Sequence, residues 1–414
     1  MKIPFGSTLK SSQGIALIMV IMVMVILLSI TGASLLFTGL TLKSAGSVKS
    51  GTRALHVADA GIQHAIAVVN PGSSLSYTAQ TTVVNSTSFG YGYSYAVTAL
   101  NGPGSDQATL TSTAVGSDGA KAMVQAVVVR RVSALPPIPG AMSIVGEAEG
   151  SFRADEMVID GNDFDMNGHA TSNPAKRGIT VGDISAPSPQ TPQQALDNIN
   201  NALSHDQKDH HVLGLGRNQA TNTPSTGIDN SLTKQTVKDF VNLLKIVSDS
   251  YLTVSSLGGN VTGNVTTSTS GSSGNITIGS RSINMGSAGN PKIVFFEGVP
   301  AGAPGDLRLK FTGTIKGHGI LVMKDNDLQF LGELDWKGLI IVSGPHTSIA
   351  FQGGDDQKIL GGVVVNETDT DTGASELSIS NDDFKLRASK EALDMVQSML
   401  NNKPTLKVVA WKQP

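Results

Sequence analysis

"SSQGIALIMVIMVMVILLSITGASLLFTGL", residues 11–40, is the stretch on which the reading of this chain turns. No charged residue lies between Lys10 and Lys43, and the run from Ile15 to Leu28 is wholly apolar. A helix rises about 1.5 Å per residue, so about 20 apolar residues cross a bilayer core of roughly 30 Å. Residues 15–42 supply that length. Lys2 and Lys10 precede the run and place its start on the cytoplasmic side. Ordinary secretory signals have a shorter apolar region followed by a small-residue cut site. "ITGAS", residues 30–34, offers such residues, and cleavage there stays open as an alternative.

The helix is predicted to continue to about residue 70 with a change of character. Val48, Leu55, Ile62 and Val69 fall seven apart, with Ala45, Ala58 and Ala65 beside them. Lys43, Lys49, Arg53, Asp59 and Gln63 take the other faces, and Pro71 stops the run. One long helix results, apolar all round in its first half and amphipathic in its second.

Composition narrows the rest. The net charge of -3 and the lack of any Lys/Arg-rich run argue against nucleic acid as a partner. Zero cysteines exclude a disulfide scaffold, a zinc knuckle and a thiol nucleophile. With 46 Gly and 5% aromatics, the chain suits short strands joined by tight turns.

A polar leader ending in "QG" before a long apolar helix resembles a class III prepilin signal. Together with "ALHVADAGIQHA", it is similar to the N-terminal region of PilX-type minor pilins, over residues 13–66. The family's A-E-A-G-like signature is matched by Ala58-Asp59-Ala60-Gly61, with Asp59 in place of Glu. The resemblance implies removal of residues 1–14 by a prepilin peptidase, which cuts after Gly14 and leaves Ile15 as the new, methylated N-terminus. It also implies that the helix leaves the inner membrane to pack against other pilins in a type IV pilus. Major pilins carry Glu five residues into the mature helix, where this chain has Met19. That Glu is taken to pair with a neighbour's α-amine. Met19 therefore fits a subunit at the tip or at initiation, or simply a family that tolerates the loss.

Beyond the helix, "YSYAVTAL" (93–100), "ATLTSTAVG" (108–116) and "AKAMVQAVVVRR" (120–131) alternate and are separated by turn-type clusters. They predict an antiparallel pilin-like meander over 71–134. "LPPIPG", 135–140, reads as a stiff linker. A β-rich head over 141–414 follows, with a helical insertion at about 190–255 and a helix at about 389–402. Overall the class is α+β.

The last third carries four apolar strands starting at Ile293, Ile320, Leu339 and Val363, each followed by an alternating strand. Steps of 27, 19 and 24 residues suit a β-solenoid, with a β-sandwich as the alternative. "SFRADEMVIDGND", 151–163, has the look of an earlier coil. The terminal helix and "TLKVVAWKQ" are expected to cap the solenoid's open edge.

Candidate sites are sparse. Asp160, Asn162, Asp163, Asp165 and Asn167 crowd hard oxygen donors suited to Ca²⁺, without the EF-hand's Gly and Glu positions. The same residues serve any tight corner. "GGDDQ" (353–357) and "NETDTDTG" (366–373) are weaker versions. His205, His210 and His211, beside Asp206 and Asp209, read as a polar loop more readily than as a zinc site. His318 and His346 read as turn residues. No hydrolase elbow, phosphate loop or zinc-protease motif occurs. Asp325 with Asp327, and Asp355 with Asp356, are weak acidic pairs for glycan cleavage.

The expectation is a non-enzymatic minor pilin that helps initiate or cap a type IV pilus. Its head is exposed at the cell surface for adhesion or aggregation, and no cofactor is required beyond possible Ca²⁺. The alternatives are an anchored surface β-helix that binds or degrades polysaccharide, and a minor pseudopilin of a type II secretion system.

Overall fold

The computed structural model describes residues 10–69, 75–104, 106–131, 133–184, 190–253, 265–269, 275–278, 281–298, 308–345, 347–353, 356–368 and 375–412, with side-chain surroundings for these except 10–15, 265–269, 275–278, 281–282, 308, 312–313 and 375. Residues 1–9, Pro71, His346, Asp355 and much of 258–280 and 369–373 lie outside that description. The chain forms two compact units, residues 1–131 with 406–414, and residues 132–405.

In the first unit, α1 runs from Lys10 to Val68 as one helix of 59 residues. Ala54, Val57, Ala58, Ile62 and Ala65 recur at three- and four-residue spacing and are buried. They pack on a sheet of β1 (Thr81–Gly90), β2 (Tyr93–Asn101), β3 (Gln107–Gly116) and β4 (Lys121–Arg131). These four strands pair antiparallel in sequence order. Along β2, Tyr93, Tyr95, Val97 and Ala99 point into the core, while the residues between them are only half-buried. Tyr91 (φ 52°) and Gly92 (φ 77°) make the two-residue turn between β1 and β2, whose positive φ values match the twist of a hairpin. Two expectations need correction here. Val48 and Ala45 are exposed, so helix–sheet packing begins later than the seven-residue spacing implied. β1 adds a further strand before the three that the alternating segments predict.

The second unit opens with β5 (Gly140–Val145), β6 (Ala148–Phe152) and β7 (Val158–Asp160), then β8 (Arg177–Gly182). The helical insertion follows: α2 (Pro192–Ala202), a π-helical turn at Gln207–His211, β9 (Val212–Leu213), β10 (Thr226–Ile228) and α3 (Lys234–Val247). Thr191 and Gln194 cap α2 reciprocally, and Thr233 caps α3. Next come β11 (Ser250–Thr253), β12 (Val265–Thr269), β13 (Asn275–Ile278) and β14 (Arg281–Asn284). From β15 (Lys292–Glu297) and β16 (Arg308–Gly313) onward the chain alternates between two sheets. β17 (Ile315–Lys324), β19 (Leu334–Gly344) and β21 (Gln357–Glu367) stack parallel on β15. β18 (Asp327–Phe330), β20 (Ser348–Phe351) and β22 (Ser375–Ile379) stack parallel on β16. After β23 (Phe384–Ala388), the last pass closes on the first: β21 pairs with β5, β22 with β6 and β23 with β7.

Burial explains the sequence texture. Ile293, Phe295, Ile320, Val322, Leu339 and Ile341 face one way and are covered by α3 and α4 (Lys390–Asn401). Val294, Phe296, Leu321, Met323, Ile340 and Val342 face the interior between the sheets. Strands buried on both faces read as unbroken apolar runs. The facing sheet is interior on one side, so β18 and β20 alternate. Its inward Phe311, Phe330 and Phe351 stack at 5.4 Å between successive ring centroids.

A column of glycines turns the chain between two ladders. β21 pairs with β23 through residues 357–361 and with β5 through 363–366. At the bend, Gly319, Gly338 and Gly361 lie in register with φ of 122°, 133° and 142°. A Cβ on Gly338 would sit 2.1 Å from the Gly319 carbonyl oxygen, and one on Gly361 2.0 Å from that of Gly338. Only glycine fits there.

Two further expectations need correction. α4 covers a sheet face, contributing Val396 and Leu400 to its core, and does not cap an edge. β24 (Thr405–Lys412) joins the meander beside β4 and so leaves the 141–414 head. The 135–140 segment is pinned to the head: Leu135 N–H donates to Gln397 Oε1 at 2.7 Å, and Ile138 is buried.

Candidate functional site

The first candidate is α1 itself. Every described residue from Ala16 to Lys49 is exposed, including large apolar side chains such as Ile26 and Phe37. Among the described residues it is the one helix long and apolar enough to cross a membrane. Four of its hydroxyls are satisfied internally: Ser29 donates to the Val25 carbonyl at 2.7 Å, and Thr31, Thr38 and Thr41 likewise bond four residues back. Bonds of this kind lower the cost of a hydroxyl in apolar surroundings. Met19 is on this surface, 64% exposed. Gly14 and Ile15 fall within α1, and their surroundings lie outside the description.

The Ala58–Gly61 signature sits where α1 meets the sheet. Ala58 is buried, and a Cβ on Gly61 would lie 2.3 Å from Ser112 Oγ and 2.9 Å from the Tyr95 ring. Gly61 therefore permits close approach of helix and sheet. His64 Nδ1 lies 2.8 Å from the Tyr95 hydroxyl one turn later. Asp59 is half-buried, with no hydrogen bond or ion pair to it among the described residues.

The calcium candidates do not form a cation cage. Asp160 Oδ1 accepts from Asn162 N–H and Nδ2 at 2.9 and 2.8 Å. Asp163 accepts from Asn173 Nδ2 and from the N–H of Lys390 at the start of α4, at 2.8 and 2.6 Å. Asp165 Oδ1 accepts from the N–H groups of Asn167 and His169 at 2.9 and 2.8 Å. Each carboxylate is thus turned toward its own donors. Burial pushes the Asp160 carboxyl upward, outweighing the hydrogen bonds from Asn162. Among the described residues no group of three or more acidic, His or Cys side chains is placed to hold a metal.

The histidine loop behaves similarly. Asp206 lies 2.9 Å from His210 Nδ1 and 3.0 Å from His211 Nε2, and these two partners lower its carboxyl below the usual range. Among the acidic pairs, Asp325 is bound to Lys324 at 3.0 Å and Asp327 accepts from Ser348 N–H at 2.9 Å.

One basic recess was not read from the sequence. It has a cavity of about 280 Å³, lined by Met166, Asn167 and Gly168 on one side and by outward residues of β19, β21 and β23 on the other. Its cations, Lys337, Lys358, Lys385 and Arg387, are spread over about 50 residues and meet only through parallel register. The available signal is one or two outward basic residues near the start of each of three successive strands: Lys337, Lys358, and Lys385 with Arg387.

No family model matches the chain, and no curated protein matches it. Among solved structures the chain is similar to the competence-associated pilin ComZ from Thermus thermophilus, with 12% identity and a TM-score of 0.22. The match covers 88% of this chain and 97% of that one. A score so low carries no argument about role.

Proposed function

We propose that this chain is a minor pilin of a type IV pilus, of PilX type, that helps initiate or cap the filament. The observation that carries the reading is α1. One unbroken helix presents an apolar half, exposed from Ala16 to Lys49, just after the "QG" leader boundary, and a second half fitted onto a meander by Gly61. An apolar helix of this kind moves between lipid and a bundle of like helices at little cost, because both are similar surroundings for aliphatic side chains. Prepilin peptidase removes residues 1–14, and Ile15 becomes the methylated N-terminus. Met19 brings no carboxylate to a neighbour's α-amine, which suits a tip position. The head, whose alternating parallel stacks we take as a β-solenoid, is carried outside the inner membrane and acts by binding, without catalysis and without a nucleic-acid partner.

Mass spectrometry of the protein matured with a prepilin peptidase tests this. The expected N-terminus is N-methylated Ile15. An intact Met1, or a start near Ser34, would overturn it.

A further inference from the structure

The basic recess is built from two outward columns on the parallel stack. In register across β17, β19, β21 and β23 run Lys316, Asp335, Lys358 and Lys385, and beside them His318, Lys337, Leu360 and Arg387. Neighbouring strands lie about 4.8 Å apart, so Lys358 and Lys385 face each other directly as like charges, an unfavourable pairing unless an anion lies between them. Lys358 has Asp356 as a partner, whereas Lys385 has no hydrogen bond or ion pair among the described residues. Asp335 is the one carboxylate of the lining, against four cations.

The opposite wall holds two of those cations in place. Lys337 Nζ donates to the Met166 carbonyl at 2.9 Å. The Arg387 guanidinium lies over the Phe164 ring, 4.7 Å from its centroid, and Nη1 reaches the Gly168 carbonyl at 3.4 Å. Arg387 Nε is buried without an acceptor. Met166, Ile359 and Leu360 add apolar surface to the same cavity. A fixed guanidinium suits planar oxyanions, and a cavity somewhat below the roughly 300 Å³ at which drug-sized sites begin suits a compact ligand.

We infer that this recess binds a small organic oxyanion of about one sugar's size, a sugar acid or a sugar phosphate, with Lys385 and Arg387 receiving the anionic group and the Met166–Leu360 side receiving the ring. The site lies wholly within the second unit, so the inference stands whether or not the chain enters a filament.

Calorimetric titration of the full chain in detergent, at 50 mM NaCl, with glucuronate, glucose 6-phosphate and glucose tests it. Saturable binding of one or both anions, at least tenfold tighter than glucose, is expected, and their ranking assigns carboxylate or phosphate. Lys385→Gln should weaken that binding about fivefold or more, while Asp335→Asn should tighten it two- to fivefold. Both positions are outward-facing, and unchanged thermal melting confirms the folded state of each variant. Equal binding of glucose, no saturable anion binding, or wild-type affinity in Lys385→Gln would overturn the inference.

Discussion

The two units both lay helices on a sheet, yet they reach their cores by opposite routes. In the meander, one face of an antiparallel sheet is covered by one stripe of α1, and burial alternates along β2, β3 and the middle of β4. In the head, the central parallel strands are buried on both faces, by α3 and α4 outside and by the facing sheet inside. The first arrangement tolerates change on every second residue. The second leaves no such freedom, and its bends fall to glycine alone.

That contrast can be probed with the two tryptophans, because Trp336 is buried in the head and Trp411 lies on β24 in the meander sheet. Single-tryptophan variants therefore report each unit's unfolding separately. The largest effect is expected from Gly338→Ala, which combines a disfavoured φ of 133° with a 2.1 Å approach to a backbone oxygen. It should cost the head more than about 4 kcal/mol, abolishing the Trp336 transition while sparing that of Trp411. A Trp411 signal lost in parallel would show that the units do not melt independently.

Phe330→Ala removes the middle ring of the stacked column and should cost about 3–5 kcal/mol in denaturant unfolding followed at Trp336. In the meander, Gly61→Ala should cost about 2–3 kcal/mol through overpacking against Tyr95 and Ser112, visible at Trp411 only. Val48→Ser, on the exposed part of α1, should change either transition by less than about 0.5 kcal/mol.

Acid sharpens the comparison within the head. Burial alone would raise the Glu297 carboxyl, but hydrogen bonds from Lys245, Tyr251 and Lys324 outweigh it and hold it at about 2, down from 4.5. A lowered folded value means the stabilisation is present above about pH 4.5 and is lost as pH falls toward 2. Glu297→Gln should cost about 1–2 kcal/mol at neutral pH. It should also flatten the loss of Trp336-monitored stability between pH 5 and pH 3; an unchanged slope would remove Glu297 as its source.

The same contrast sets what a reader of the sequence could see. α1, the hairpin strands β2 to β4 and the faces of α3 and α4 repeat at 3.6 or 2 residues, so local periodicity identifies them. The paired strand rhythm of residues 293–379 was visible for a related reason: it repeats in sequence. Pairings across long separations leave no local mark. The placement of β24 beside β4, and of Lys337, Lys358, Lys385 and Arg387 in one recess, depends on register that no single segment encodes. The calcium expectation is ambiguous at the level of sequence, because aspartates that could ligate an ion and aspartates that tie turns look alike in a string. Here Asp160, Asp163 and Asp165 spend their oxygens on nearby N–H groups and on the start of α4.

The closure of the last pass on the first has a kinetic consequence. β5 and β7 pair early with β8 and β9 on one side, but β5, β6 and β7 receive β21, β22 and β23 only after about 200 further residues have been made. A chain that folds as it emerges must hold that first pass with an open edge until the end arrives, and such high contact order slows folding. Truncation near residue 356 would not merely shorten the head. It would leave β6 unpaired and open one edge of β5 and of β7, which keep only β8 and β9, so premature termination is expected to yield aggregates, not a smaller folded stack.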